Sequence, residues 1–230
     1  MNRVLFFDTE TTGLIPKKKG RYVESVSNDS PHIVQLSYAI YDLNKREIVE
    51  KYDTYVKIDE HVEMSEGAFS VTGITKEICV ERGVSIIEAI RKFHDAYITC
   101  NIVAAHNMEF DKKMINIEIE RNRHIFTDVA PQCFTVFNNI YEKQHIIENY
   151  CTMENGTELC GIDMPYQKFM KYKNGKSVIK YKFPKLTELY TKLFTGDPLP
   201  HNLHNSMVDV LIGLRCYLKM QQKINTCSFI

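Results

Sequence analysis

The sequence predicts an α/β fold, a mixed sheet flanked by helices, and three observations carry that prediction. Residues 3–8 form an apolar run that reads as a buried strand. Ile33 to Asp42 and Ile48 to Val56 are β-rich and joined by Leu43-Asn44-Lys45-Arg46, which predicts a hairpin. Beyond the hairpin, stretches of helical periodicity alternate with short apolar runs. Strands that alternate with helices after an opening hairpin build an α/β sandwich on a mixed sheet.

Each element has its own warrant. Between the first strand and the hairpin, Ile15 to Pro31 is polar, carries Lys17, Lys18, Lys19 and Arg21, and reads as an exposed loop. That basic run is either a solvated face or a contact for phosphates. Val71-Thr72-Gly73-Ile74 marks a break, after which Ile86, Ile87, Ile90, Phe93 and Tyr97 recur at helical spacing, so roughly 84–98 is an amphipathic helix. Asn101 to Ala105 is short, apolar and bounded, a buried strand, and His106-Asn107 leads into a helix over about 108–121. Phe134, Phe137, Ile140 and Tyr141 have helical spacing, and Asn149 to Met153 suits a short strand. Pro184 to Tyr190 opens a short helix, and Ser206 to Met220 carries Val208, Leu211, Ile212, Arg215 and Leu218 as a terminal helix against the sheet. No repeat or linker divides the chain, so residues 1–230 are expected to form one domain with extended loops around 16–30, 123–148 and 156–182.

Composition narrows the class. With 230 residues, 44% of them apolar, the chain is long enough to bury a full-sized core. Lys plus Arg and Asp plus Glu both count 29, so attraction to a polyanion must come from uneven placement of charge. The seven cysteines show no Cys-x-x-Cys pair, which suits a reduced compartment better than a disulfide framework or a structural zinc site. There is no signal-peptide pattern and no apolar run long enough to span a bilayer, so an intracellular protein with no membrane partner is expected.

The most informative stretch is Val4-Leu5-Phe6-Phe7-Asp8-Thr9-Glu10-Thr11-Thr12-Gly13. On a strand, alternate side chains share a face, so Asp8 and Glu10 project together from its C-terminal end. Two adjacent carboxylates repel unless a cation lies between them, and a hard cation such as Mg²⁺ or Mn²⁺ prefers oxygen ligands. The bland alternative is a strand end with two solvated acids. Two further acids stand in suggestive settings: Asp111 in the first turns of a helix, and Asp209 near the start of the terminal helix, five residues after His204. Five residues on an ideal helix lie about 140° apart, so His204 can work with Asp209 only from the loop or cap before the helix. Pro198-Leu199-Pro200 suits such a loop.

Three pieces in order resemble the DnaQ-like 3′→5′ exonucleases, the DEDDh family of the ribonuclease H-like fold. They are Phe7-Asp8-Thr9-Glu10-Thr11-Thr12-Gly13, Ala105-His106-Asn107-Met108-Glu109-Phe110-Asp111 and His204-Asn205-Ser206-Met207-Val208-Asp209. The resemblance implies a sheet of about five strands in the order 3-2-1-4-5. It makes Asp8, Glu10, Asp111 and Asp209 the carboxylates for two Mg²⁺ or Mn²⁺ ions, and His204 the general base. His201, three residues earlier, competes with His204, and the spacing to Asp209 favours the later one. Thr9, Thr11, Leu14, His106, Asn107 and Phe110 would line a pocket for the terminal nucleotide, although Leu14 and Phe110 read equally as core residues. The chain departs from the family in two places: Thr72-Gly73 stands where many relatives have His-Gly, and Ser206 where Ala is usual.

The implied chemistry makes physical sense. Two cations roughly 4 Å apart can lower the pKa of an attacking water and stabilise a departing 3′-oxygen. An imidazole can take up a proton near neutral pH. The implied partner is a nucleic acid with a free 3′ end, DNA in preference to RNA, in repair or in proofreading beside a DNA polymerase. A 3′→5′ exoribonuclease or oligonucleotidase of the same fold is the alternative, since recognition of the 2′-hydroxyl depends on pocket shape. A nuclease-derived module that binds without cutting is a third reading, and retention of four acids and a histidine argues against it.

Between Lys168 and Lys185 stand seven lysines (168, 171, 173, 176, 180, 182 and 185) and no acid, interleaved with Tyr166, Phe169, Tyr172, Tyr181 and Phe183 nearby. This one-signed stretch is either a polyanion contact or a solvated insertion hairpin. If it is a contact, neutralising Lys171, Lys173 and Lys176 will weaken nucleic-acid binding and flatten its salt dependence; an unchanged slope of log K against log salt assigns the stretch to solvent.

Overall fold

The apolar residues of the first strand set the architecture, because both of its faces are covered. In the computed structural model, the described residues are 2–18, 21–22, 30–164, 170–171, 177–178, 181–201, 203–224 and 226, with backbone alone for 17, 18, 21, 22, 170, 171, 177 and 178. Strand β1 (Arg3–Thr11) alternates between two hydrophobic clusters. Val4 and Phe6 pack with Val210, Leu211, Leu214 and Leu218 on one side. Leu5 and Phe7 pack with Phe93, Tyr97 and Met114 on the other. A strand buried on both faces loses its polar alternation and reads as a continuous apolar run.

Strands β2 (Ile33–Asp42), β3 (Glu47–Tyr55), β4 (Ile102–Ala105) and β5 (Glu148–Cys151) complete a five-stranded sheet in the order β3-β2-β1-β4-β5. That is the 3-2-1-4-5 order that the resemblance implies. β2 and β3 form the antiparallel hairpin, β2 is antiparallel to β1, and β4 and β5 are parallel additions on the other side. β2 is buried along all ten residues, whereas the edge strand β3 is largely exposed. The register places Asp8 opposite Ser37 and Glu10 opposite Gln35, with an irregularity at Glu10/Thr11 where the ladder ends.

The helices are α1 (Glu66–Thr72), α2 (Lys76–Arg82), α3 (Ile86–Tyr97), α4 (Met108–Arg121), α5 (Arg123–Val129), α6 (Asn139–His145), α7 (Thr152–Cys160), α8 (Leu186–Leu193) and α9 (Ser206–Gln221). α3 begins where Ser85 accepts from the Glu88 N–H, and it buries Ile90, Phe93, Ala96 and Tyr97, the face its periodicity predicts. α9 is buried almost all round from Val210 to Leu218, because it lies on the sheet beneath α8. No helix among the described residues is long and apolar enough to cross a membrane. The six described cysteines are free.

Several segments differ from the sequence reading. The stretch 123–148, expected as an extended loop, folds into α5, a 3₁₀ turn (Pro131–Thr135) and α6. The helical spacing of Phe134, Phe137, Ile140 and Tyr141 does not mark one helix. Asn138 restarts the chain by accepting from the Ile140 and Tyr141 N–H groups, and Phe137 just before it has φ 53°. β5 ends at Cys151 rather than Met153, since Thr152 already begins α7, a helix the loose pattern after 156 concealed. Most of the lysine-rich stretch lies outside the described residues. Lys182 is described, and its ammonium is held by both oxygens of Glu188, 2.8 and 3.0 Å away.

Gly213 permits α9 to lie close on β1: a Cβ there would stand 2.3 Å from the Phe6 ring. Gly213→Ala should therefore lower unfolding stability by about 1–3 kcal/mol through overpacking. The loss should outweigh the roughly 1 kcal/mol that Ala gains in helix propensity, and urea denaturation measures the balance.

Candidate active site

The parity of β1 distributes the acids. Asp8 and Glu10 share the face of Val4 and Phe6, the side covered by α9, and α9 supplies Asp209 in its first turn. Carboxylate oxygens of Asp8, Glu10 and Asp209 all lie within 4.8 Å of one another. Thr9 falls on the opposite face, toward α4. There its N–H and its hydroxyl both donate to Oδ1 of Asp111, at 3.0 and 2.7 Å. Asp111 is 3% exposed and lies outside the tight trio, yet its charge acts on both Asp8 and Glu10.

Burial and crowding push all four acids toward their protonated forms. Desolvation is the largest cause in each case. Asp8 is raised well above the ordinary value, with the charges of Asp111, Glu10 and Asp209 adding to its burial. Glu10 is raised to about 8 by burial and then by Asp209 and Asp111. Asp111 is raised to about 7 by burial, against the bonds from Thr9 that favour its charged form. Asp209 reaches only about 6, because the charge of His204 and a bond from the His204 backbone N–H pull it down. Asp111 is buried and the other three acids are half-buried; acids that repel one another in such a setting are a donor set for hard divalent cations. These residues fit such ions.

His204 stands in the loop before α9 with φ 68°, exposed, and Asn205 caps the helix by accepting from the Val208 N–H at 3.3 Å. The histidine thus sits off the helix and beside Asp209, as their five-residue spacing requires. The competing His201 is exposed in the same loop.

Beside Glu10 opens a pocket of about 360 Å³. Thr9, Thr11, Leu14 and Phe110 line it, and neither His106 nor Asn107 does. Leu14 is 84% exposed, so it belongs to a surface and not to the core. The far wall is Gly67, Ala68, Val71 and Thr72 from α1, a seven-residue helix without a buried face; of these only Thr72 stood out in the sequence. Thr72, at the departure from the family's His-Gly, lines this pocket and donates its hydroxyl to the Ala68 carbonyl at 3.0 Å. Gly73 follows in the left-handed conformation (φ 66°) that ends the helix.

His106 has other partners. Nδ1 lies 3.0 Å from the Thr152 hydroxyl, and Nε2 lies 3.1 Å from the Pro184 carbonyl. Burial lowers its pKa to about 4, with the Pro184 bond opposing. A neutral ring satisfies both contacts when Nε2–H donates to Pro184 and Nδ1 accepts from Thr152. It ties the end of β4 to α7 and to the segment before α8. Asn107 opens α4 in the left-handed conformation, φ 67°, without a side-chain capping bond. No sequence signal separates this tethering histidine from a pocket histidine, since Thr152 and Pro184 are 46 and 78 residues away.

A five-stranded 3-2-1-4-5 sheet with acids gathered at the end of its first strand is the ribonuclease H-like arrangement of DnaQ-like exonucleases. The sequence profile of the exonuclease family, RNase_T, matches residues 5–217, and the chain belongs to that family. No curated protein matches the chain by sequence. Among solved structures, Escherichia coli exonuclease I in complex with a dA16 oligonucleotide is similar with a TM-score of 0.60 and 17% identity, over 98% of this chain and 42% of that one. The zinc-bound E. coli exonuclease I complex with single-stranded DNA gives 0.60 and 19%, over 96% and 41%. A moderately thermophilic exonuclease I from Methylocaldum szegediense gives 0.55 and 18%, over 97% and 41%. At these identities the likeness is one of fold, and the chain spans about two fifths of the length of these relatives.

The crowded acids make stability depend on pH. Because their folded pKa values are raised, the folded state binds more protons than the unfolded one. The resulting stability is complete below the unfolded carboxylate pKa near 4 and is lost as pH rises through about 6, 7 and 8 for Asp209, Asp111 and Glu10. In EDTA, the urea midpoint should fall between pH 5 and pH 8.5, and Mn²⁺ should restore more stability at pH 8.5 than at pH 5. A flat profile in both conditions would contradict buried repulsion.

Proposed function

We propose that the chain is a metal-dependent 3′→5′ exonuclease of the DEDDh type. It hydrolyses phosphodiester bonds from DNA 3′ ends and releases nucleoside 5′-monophosphates. The observation that carries this reading is the cluster of Asp8, Glu10 and Asp209, with Asp111 in electrostatic reach, beside a nucleoside-sized pocket. The four carboxylates would hold two divalent ions, Mg²⁺ or Mn²⁺; when bound, such ions lower the pKa of water and offset charge on phosphorus.

The chain's own residues do the rest. His204, beside Asp209 and open to solvent, accepts the proton of the attacking water and passes it to bulk. Thr9 fixes one oxygen of Asp111 and leaves the other for an ion. Leu14 and Phe110 offer apolar surface to the base of the terminal nucleotide, while Thr11 stiffens the turn by donating to the Gly13 carbonyl at 2.6 Å. The similar E. coli exonuclease I structures are complexes with dA16 and, in the zinc-bound form, with single-stranded DNA, which favours DNA as the polymer and a divalent ion at the site. Ends exposed in repair, or left by a polymerase partner, are the setting in which such an activity serves.

With Mn²⁺ and 5′-labelled single-stranded DNA, the protein should give a ladder of shortened strands, and with 3′-labelled DNA an immediate labelled mononucleotide. EDTA should abolish both. No ladder, or one that survives EDTA, would overturn the enzyme reading; equal turnover of matched RNA would overturn the preference for DNA. Asp8→Ala should reduce cutting by more than about a hundredfold while the protein stays folded, because removing one acid relieves repulsion in the others.

A further inference from the structure

Asp8 and Asp209 are 201 positions apart and belong to different elements, so something must set the distance between them. The apolar contact of α9 with β1 brings helix and strand together, and Gly213 sets how closely they approach. Apolar contact has no preferred direction, however, and does not by itself fix how far the helix lies along the strand. Directional bonds at the first turn of α9 do that. The Ser206 hydroxyl donates to the Asp8 carbonyl at 2.9 Å, and the Ser206 N–H is directed at Oε1 of Gln35 at 3.4 Å. This N–H has no partner within its own helix. Gln35 is fixed in turn, its Nε2 donating to Oδ1 of Asp53 at 2.8 Å, an oxygen that also accepts from the Ser37 hydroxyl at 2.7 Å.

Ser206 is fully buried and Gln35 is 1% exposed. The register sets Gln35 opposite Glu10 and Ser37 opposite Asp8. A chain of hydrogen bonds therefore runs from the edge strand through β2 to the helix start, passing beneath the acids. Buried polar groups in such a line are costly to leave unpaired, which gives the line one preferred geometry.

We propose that Ser206, backed by Gln35, is a positioning residue that fixes α9 along β1 and so sets the separation of Asp209 from Asp8. This rests on the metal-binding reading above and deepens it. It also gives a physical role to a serine buried at the start of α9. Here the gap between strand and helix is bridged by a hydroxyl, with the Gln35 amide behind it.

The test titrates Mn²⁺ into metal-free protein by calorimetry, without nucleic acid, alongside urea denaturation. Ser206→Ala should weaken Mn²⁺ binding by about tenfold, the effect typical of groups that orient metal ligands. Gln35→Met should act in the same direction, and the double variant should bind more weakly than either single one, because the two substitutions remove different bonds that hold the same helix turn. Wild-type affinity in the variants, with or without a loss of urea stability, would overturn the positioning role and leave the nuclease reading standing. Absence of Mn²⁺ binding in the wild type would sink both. Should Ser206→Ala fail to fold, Gln35→Met decides.

Discussion

Mutual repulsion among acids taken out of water is the constraint on which the rest of the structure depends. Two unit charges 4 Å apart repel by about 4 kcal/mol at an effective dielectric of 20, a large share of the 5–15 kcal/mol that typically holds a domain folded. Asp8, Glu10 and Asp209 share a sphere of that order, and Asp111 adds its charge from the side. They are held there because each is anchored in a different, well-packed element. β1 is sealed on both faces, α9 is buried almost all round, and Asp111 is gripped by the backbone and hydroxyl of Thr9. The core supplies the rigidity and the site uses it.

The pocket beside the acids is assembled by a different device, a hub of backbone bonds around Thr12. Its carbonyl accepts from the Ser65 N–H at the start of α1, and its N–H donates to the His32 carbonyl. Its hydroxyl accepts from the His32 N–H at 2.9 Å. Arg121 at the end of α4 then secures the Ser30 and Pro31 carbonyls at 2.8 and 2.9 Å. Three stretches distant in sequence are thereby joined to the turn after β1, which carries Leu14. The apolar lining is a consequence of that joining, since α1 alone has no buried face.

What could be read in the sequence follows from where periodicity survives. α3, α4 and α9 are long enough for their apolar residues to trace a face, and β1 and β2 are apolar runs with clear ends. The seven-residue helices α1, α2, α5 and α6 span two turns at most, too short for a pattern to separate them from loops. Asp8 and Glu10 were legible as a pair through strand alternation alone. The grouping with Asp111 and Asp209 came from resemblance, because nothing local in either segment says which strand it will meet. His106 shows the limit most clearly. Its residue type suits a pocket wall, and only contacts with Thr152 and Pro184 reveal a tether.

The two-sidedness of β1 has a consequence for how such a chain can change. Inserting one residue between Phe6 and Phe7 would exchange odd for even positions in the rest of the strand. It would turn a carboxylate into the cluster of Phe7, Phe93 and Phe137, whose ring centres lie 5.0–5.9 Å apart, and leave an aromatic ring facing the other acids. Connections between strands can lengthen or shrink freely, whereas this short span can accept indels only in pairs.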